Sequence, residues 1–365
     1  MKLKQIIEKL ENISSPFFQE TYDNCGLLIG NEAWDCSGIL CTLDVTEEVV
    51  KEAIKNNCNF IVTHHPIIFN SIKKINYHNY IEKCITLAIK NDIAIYAIHT
   101  NLDNIITGVN DVIAQKLNLI NKRILLPKTD TLKKLFTFVP IAYADKIKSA
   151  LFDAGAGNIG NYSECSFGVE GIGTFKANTA ANPYIGEIGK QQEEKELKIE
   201  VIFPTYLEKN IVNTLLKVHP YEEVAYDIIE LNNTNNAVGS GLIGELPEAK
   251  DEQLFLHQIK AAFGLQVIKH TELLYKKVKK VAICGGAGSF LIKKALAAEA
   301  DFFITSDIKY HEFFDAESKM VIADIGHWES EQFTPNLLVE ILRVNFPTFA
   351  VLKSNVHTNQ VRYFI

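Results

Sequence analysis

Phe60-Ile61-Val62-Thr63-His64-His65-Pro66 is the stretch from which the fold class of this chain can be read. Its first three residues are aromatic and β-branched, the composition of a short buried strand. Pro66 has no N–H to give a central strand, so the chain leaves the sheet where the two imidazoles stand. In open α/β sheets, ligands bind beyond the carboxyl ends of the strands. Two histidines at such an edge are either metal ligands or hydrogen-bonding members of a polar loop.

The neighbouring segments extend the same plan. Residues 39–43 read as a strand, and Thr46 as the N-cap of a helix to about residue 57, with acidic residues in its first turn. Downstream, a helix over 77–91 and a strand over 93–98 lead to a second polar strand end, His99-Thr100-Asn101-Leu102-Asp103. Upstream, Leu3, Ile6, Ile7 and Leu10 share one face of an amphipathic N-terminal helix that Ser14-Ser15-Pro16 ends. Asp23-Asn24-Cys25-Gly26-Leu27-Leu28-Ile29-Gly30 is a turn feeding a short strand. Alternating strands and helices of this kind predict a parallel or mostly parallel sheet.

The last third of the chain repeats the arrangement. A strand over 281–284 ends in Gly285-Gly286-Ala287-Gly288-Ser289, and a helix over 290–298 follows. Asp301-Phe302-Phe303-Ile304-Thr305-Ser306-Asp307 then aligns with Asn59-Phe60-Ile61-Val62-Thr63-His64-His65. A third strand, 320–325, ends in Gly326-His327-Trp328-Glu329-Ser330-Glu331, matching the position of Ile98-His99. This reads as a degenerate duplication of a β-α-β-α-β unit, with both sets of strand ends converging on one cleft. Residues 131–238 break the pattern with two β-α-β halves, the signature of an inserted ferredoxin-like domain. The fold class is therefore α/β, with two similar lobes formed by 1–130 and 239–365 and an α+β insertion between them.

The 365 residues are 47% apolar and 22% charged, enough to build a sizeable core. A net charge of −7 argues against non-specific nucleic-acid binding. Seven scattered cysteines with no C-x-x-C pair fit reduced thiols, not disulfides or a Cys-based zinc site. The amphipathic N-terminus is no signal peptide, and no apolar run is long enough to span a bilayer, so a cytoplasmic protein is expected.

Four strand ends supply donors: His64-His65, His99 with Asp103, Asp307 with His311, and His327 with Glu331. His327 and Glu331 are four apart near a helix start and share one face, within reach of a single ion. The plainer alternative for them is a polar pair at a helix N-terminus. That helix is read as running from 328 to about 343, with Pro335 as a possible kink. Imidazole and carboxylate donors without thiolate suit Zn²⁺, Mn²⁺, Fe²⁺ or Ni²⁺. Three histidines and two carboxylates can hold a pair of ions if one carboxylate bridges, leaving open positions for water. His99, Asp307 and His311 are assigned supporting or acid–base roles. Gly285, Gly286 and Gly288 could cradle a phosphate on their N–H groups, although a tight β-α turn explains them equally well. His219-Pro220-Tyr221-Glu222-Glu223 has the composition of a second metal cluster.

These motifs in this order resemble the Nif-three-like proteins, often labelled GTP cyclohydrolase I type 2 homologues. The residues concerned are Asp23-Asn24-x-Gly26-Leu27, Thr63-His64-His65-Pro66, His99-Thr100-Asn101-Leu102-Asp103, Gly285-Gly286-x-Gly288 and Gly326-His327-x-Glu329-Ser330-Glu331. The insertion resembles that of longer bacterial members, which is similar to copper-tolerance and PII-like domains. The resemblance implies two divalent ions per subunit held by His64, His65, Asp103, His327 and Glu331, and a ring-shaped homohexamer. It further implies a metal-dependent hydrolase acting on a nucleotide or related phosphorylated small molecule. The alternative is a non-enzymatic metal-binding or regulatory assembly that senses a ligand through its insertion.

Overall fold

The computed structural model describes residues 1–364. Contacts divide the chain into two compact units. One comprises Met1–Leu126 together with the chain from Ala237 onward, and the other is Pro127–Asn236.

The first unit holds two mixed sheets. In the five-stranded sheet the order is Gly26–Ile29, Ala94–Ala97, Phe60–Thr63, Ile39–Thr42 and Val351–Lys353. Only the edge strand Gly26–Ile29 runs antiparallel to its neighbour. The three middle strands are four residues long and buried throughout, as a parallel sheet covered on both faces requires. The six-stranded sheet again has three parallel strands, Lys277–Ala287, Phe302–Ser306 and Val321–Asp324, side by side in chain order. Lys269–His270 and Asn235–Asp251 flank them antiparallel, features with no counterpart in the sequence pattern.

The middle strands of the two sheets end alike. Thr63 and Thr305 are both fully buried. Thr63 Oγ1 donates to the Leu43 carbonyl at 3.0 Å, and Thr305 Oγ1 to the Gly286 carbonyl at 3.1 Å. Each hydroxyl thus satisfies a carbonyl where a neighbouring chain leaves the ladder, which holds the strand ends in register. One apolar cluster spans both sheets, from Phe60 and Tyr96 to Ile283, Phe302 and Ile304, with the helix residues Leu3, Ile6 and Leu10 packed into it. Thr46 caps the helix Glu47–Lys55 by accepting from the Val49 N–H. All seven cysteines are free, five of them buried.

Two helices replace the single one expected after residue 327. His327–Glu331 is one short turn, and Thr334–Asn345 begins anew with Pro335 in its first turn. Proline is well suited to that position because no hydrogen bond is asked of its nitrogen there.

The second unit is a four-stranded antiparallel sheet in the order Ser166–Lys176, Gln191–Pro204, Leu132–Pro140 and Tyr226–Leu231. The helices Ala144–Asp153 and Glu208–Val218 join it through Ile147, Leu151, Ile211 and Leu215, which cluster with Leu135, Val139, Ile199, Val201 and Phe203. Residues 166–176, which overlap the glycine-rich run 155–173, form a full strand paired with Gln191–Pro204. Most of its side chains are exposed, so no hydrophobic alternation marks it.

Phe302 is fully buried with its ring edge-on to Phe255, centroids 5.1 Å apart. Phe302→Ala should cost about 3–5 kcal/mol of stability in the first unit. Urea unfolding checks this, and a loss well under 1 kcal/mol would contradict a core continuous across the two sheets.

Candidate metal centre

His64 and His65 leave the end of Phe60–Thr63, and His99 follows Ala94–Ala97 on the adjacent parallel strand. Asp103 closes the short helix Thr100–Asp103. His327 and Glu331 are the first and last residues of the short helix after Val321–Asp324 in the other sheet. The two sets of strand ends meet. His64 and His65 have ring centroids 5.0 Å apart, His64 and His99 5.2 Å, and His65 and His327 5.3 Å.

Glu331 lies at the centre and is 2% exposed. Its Oε2 is 2.9 Å from His65 Nε2 and 3.3 Å from His327 Nε2, while its Oε1 is 3.9 Å from His64 Nε2. Asp103 Oδ1 is 3.6 Å from His64 Nε2. Three donor groups follow, each with its ligand atoms within 4.8 Å of one another: His64, Asp103 and Glu331; His65, His327 and Glu331; His64, His65 and His99. Any of them could hold a metal ion, and Glu331 belongs to two.

All four imidazoles present the same orientation. Each Nδ1 donates outward: His64 to the Ile98 carbonyl at 2.9 Å, His65 to Asp44 at 2.7 Å, His99 to Asp23 at 2.8 Å and His327 to Asp307 at 2.5 Å. An acceptor behind Nδ1 fixes the tautomer and leaves Nε2 for whatever occupies the centre, the usual support of a metal-bound histidine. Asp44 is held in turn by the Thr358 hydroxyl, and Asp23 by the Thr100 N–H and hydroxyl.

Two buried polar atoms at the centre have no hydrogen-bond partner, His64 Nε2 and Asp103 Oδ1. Buried groups of this kind are rarely left unpaired, and both belong to one donor group, so the residues fit a cation. The electrostatics agree. Burial, with the Glu331 charge beside it, pushes Asp103 up to about 8. Burial would also raise Glu331, but His327 and the other imidazoles around it hold it well below the usual carboxylate range. Burial lowers His65, yet Asp44 and Glu331 outweigh it and carry the ring up to about 10. His327, likewise opposed by burial, is taken up to about 11 by Glu331 and Asp307. Protons on the imidazoles balance the buried carboxylates here, and a divalent ion can take over that task.

The other expected residues are placed differently. Asp307 sits behind His327, as a supporting role requires, in a left-handed conformation (φ 57) that Asp tolerates. His311 is exposed on the turn Tyr310–Ala316, its ring beside Tyr310 and Phe314, and enters none of the donor groups. Two of the three glycines expected to offer N–H groups to a phosphate have them engaged. The Gly285 N–H donates to Asn110 Oδ1 and the Gly286 N–H to Ser330 Oγ, so neither is free for an anion. Gly288 packs against Cys284 and Thr305. In the second unit His219 uses both ring nitrogens, Nε2 donating to the Phe138 carbonyl and Nδ1 accepting from the Tyr221 N–H, which removes it as a ligand.

Asp23 opens one of the motifs quoted above and Asp44 belongs to none, and neither residue's support of a histidine is visible in the sequence. The available signal for Asp44 was its position just past Ile39–Thr42, the strand beside the histidine strand.

Gly286 has φ +63, and a Cβ there would lie 2.6 Å from Glu331 Oε1. Gly286→Ala should therefore destabilise the first unit by about 2 kcal/mol or more, from backbone strain and displacement of Glu331. Denaturant unfolding followed by circular dichroism measures it, and an unchanged midpoint would mean that the close approach is not required.

Comparison with known proteins places this geometry. The profile of the Duf34/NIF3 (NGG1p interacting factor 3) family matches residues 1–360. A Bacillus subtilis protein called GTP cyclohydrolase 1 type 2 homolog is 39% identical over 330 residues, covering 89% of this chain and 88% of the relative. One of the same name from Halalkalibacterium halodurans is 38% identical over 359 residues, covering 97% and 96%. The crystal structure of a Bacillus cereus protein related to NIF3 superposes with a TM-score of 0.87 at 37% identity, over 100% of this chain and 99% of that one. Matched along nearly its whole length in sequence and in fold, the chain belongs to the Duf34/NIF3 family.

Proposed function

We propose that the chain is a metal-dependent hydrolase with a dinuclear centre, acting on a nucleotide or a related phosphorylated small molecule. The observation that carries this is the position of Glu331, which one donor group shares with His64 and Asp103 and another with His65 and His327. In this reading Glu331, together with His64, Asp103, His65 and His327, would hold two divalent ions (Zn²⁺, Mn²⁺, Fe²⁺ or Ni²⁺). Such ions would supply Lewis acidity, making a water nucleophilic near neutral pH and steadying a developing oxyanion.

The protein's own residues do the rest. Asp44, Asp307 and the Ile98 carbonyl aim Nε2 of His65, His327 and His64 inward, and burial of Glu331 keeps its charge strong by excluding water. His99, oriented by Asp23 at the edge of the cluster, is the side chain placed to meet a substrate. The same reading takes the protein as a cytoplasmic homohexameric ring. No helix among the described residues is long and apolar enough to cross a membrane. The second unit is taken as a ferredoxin-like insertion, supported by its β-α-β-β-α-β order and its antiparallel sheet.

A second reading, a non-enzymatic metal-binding or regulatory assembly, has its own support. A cavity of about 640 Å³ in the second unit is lined by Phe138, Phe175, Tyr184 and Tyr221 around the buried Glu196, whose carboxylate accepts from the Tyr221 hydroxyl at 2.9 Å. A cavity of that size and lining suits a small ligand.

Protein reconstituted with Mn²⁺ or Zn²⁺ is expected to turn over at least one member of a nucleotide panel, and His64→Ala to lose both the metal and the turnover. Tight metal with no turnover on any substrate favours the regulatory assembly, and equal turnover by His64→Ala rejects the hydrolytic centre. Asp44→Asn, which leaves His65 without its charged support, should weaken metal binding about 10–100-fold in equilibrium dialysis.

A further inference from the structure

The cleft over the centre has a volume of about 440 Å³, within the range that holds small organic ligands. Three aromatic side chains line it: Tyr22, Phe69 and Phe290, which are 62%, 45% and 58% exposed. Tyr22 and Phe69 have ring centroids 6.3 Å apart, and Phe69 lies 6.5 Å from the ring of His99. A platform of rings therefore runs from solvent to the edge of the histidine cluster. No Lys or Arg lines the cleft among the described residues, whereas Glu20, Asp103 and Glu331 do.

We propose that this cleft takes a phosphomonoester carrying a planar ring, of the nucleoside monophosphate class, and excludes polyphosphates. The inference rests on the two-ion reading of the centre. With no Lys or Arg lining the cleft among the described residues, the ions would be the cations left to receive phosphate, and two adjacent ions suit one phosphoryl group, which carries about −1.5 to −2 at neutral pH. The outer phosphates of a triphosphate would meet carboxylates and rings with no cation to receive them, at a steep electrostatic cost in a partly buried cleft. Base stacking on aromatic side chains supplies affinity without needing a specific base, so the rings select a planar group and tolerate its identity. On the hydrolytic reading, the oxygen of a water bonds to phosphorus as the ester P–O bond breaks. One water proton ends on the nucleoside hydroxyl, and inorganic phosphate leaves with the other.

Binding and turnover are measured separately on the full-length protein loaded with Mn²⁺, using GMP, GTP and glycerol 3-phosphate. Equilibrium dialysis should show GMP held about tenfold or more tighter than either of the others. Tyr22→Ala and Phe69→Ala should each reduce GMP affinity several-fold, with metal content and circular dichroism unchanged, and reduce glycerol 3-phosphate affinity less. GTP binding as tightly as GMP, or equal losses on GMP and glycerol 3-phosphate, would overturn the proposal. The expected binding pattern without release of phosphate supports this ligand class and instead rejects the hydrolytic reading, so the two fail independently.

Discussion

A single buried carboxylate governs the arrangement of the first unit. Glu331 is almost wholly removed from water, and an isolated charge there would be costly enough to displace it or neutralise it. The structure instead surrounds it with His64, His65 and His327. These must come from two sheets, so the geometry of one side chain sets how closely the lobes approach. Gly286 makes that approach possible, because its strand passes where any Cβ would strike the Glu331 oxygen. The Ser330 hydroxyl, accepting from the Gly286 N–H, ties the same short helix to the same strand from the next residue.

Precision at the centre is obtained from a second layer that uses ordinary parts. Two carboxylates, Asp44 and Asp23, stand behind histidines of the first sheet, and Asp307 does so in the second. A backbone carbonyl, that of Ile98, suffices for His64. His64 is the most buried of the four rings, and a neutral acceptor avoids adding a further charge where no water can screen it. The fully buried ring thus has a neutral acceptor, and the three partly exposed rings each have a carboxylate.

Much of this was legible from residues alone. His64, His65, His99, Asp103, Asp307, His311, His327 and Glu331 stood out as candidate donors because parallel strands must end somewhere, and polar residues placed after short buried runs reveal those ends; the narrower set of five ligands is what the family resemblance implies. The repeated Thr at residues 63 and 305 was visible as a pattern, although its hydrogen bonds to neighbouring carbonyls were not. The failures have physical causes as well. Residues 166–176 carry no apolar alternation because neither face of that strand is deeply buried. Gly285 and Gly286 suggested an anion cradle, since sequence reveals where N–H groups could be free but not which side chains, here Asn110 and Ser330, have already taken them. His311 follows its strand end like the other donors, yet a turn carries it to the surface. The roles of Asp23 and Asp44 were not legible because support of a ring depends on distance across a sheet, which spacing along the chain does not encode.

The donors also span the chain in a way that links the centre to assembly of the fold. His64, His65, His99 and Asp103 precede the second unit in sequence, and His327 and Glu331 follow it. The two donor groups that contain Glu331 therefore come together only when both sheets share the common apolar cluster. Until then the carboxylates remain hydrated at little cost. Once docked, His64 Nε2 and Asp103 Oδ1 are buried without partners, which opposes docking. Any cation that binds the docked lobes and not the open chain shifts that balance by mass action toward the assembled unit. The unsatisfied pair thus makes cation binding at the centre and docking of the two lobes one coupled equilibrium, with the apolar cluster supplying the stability that two unpaired polar atoms oppose.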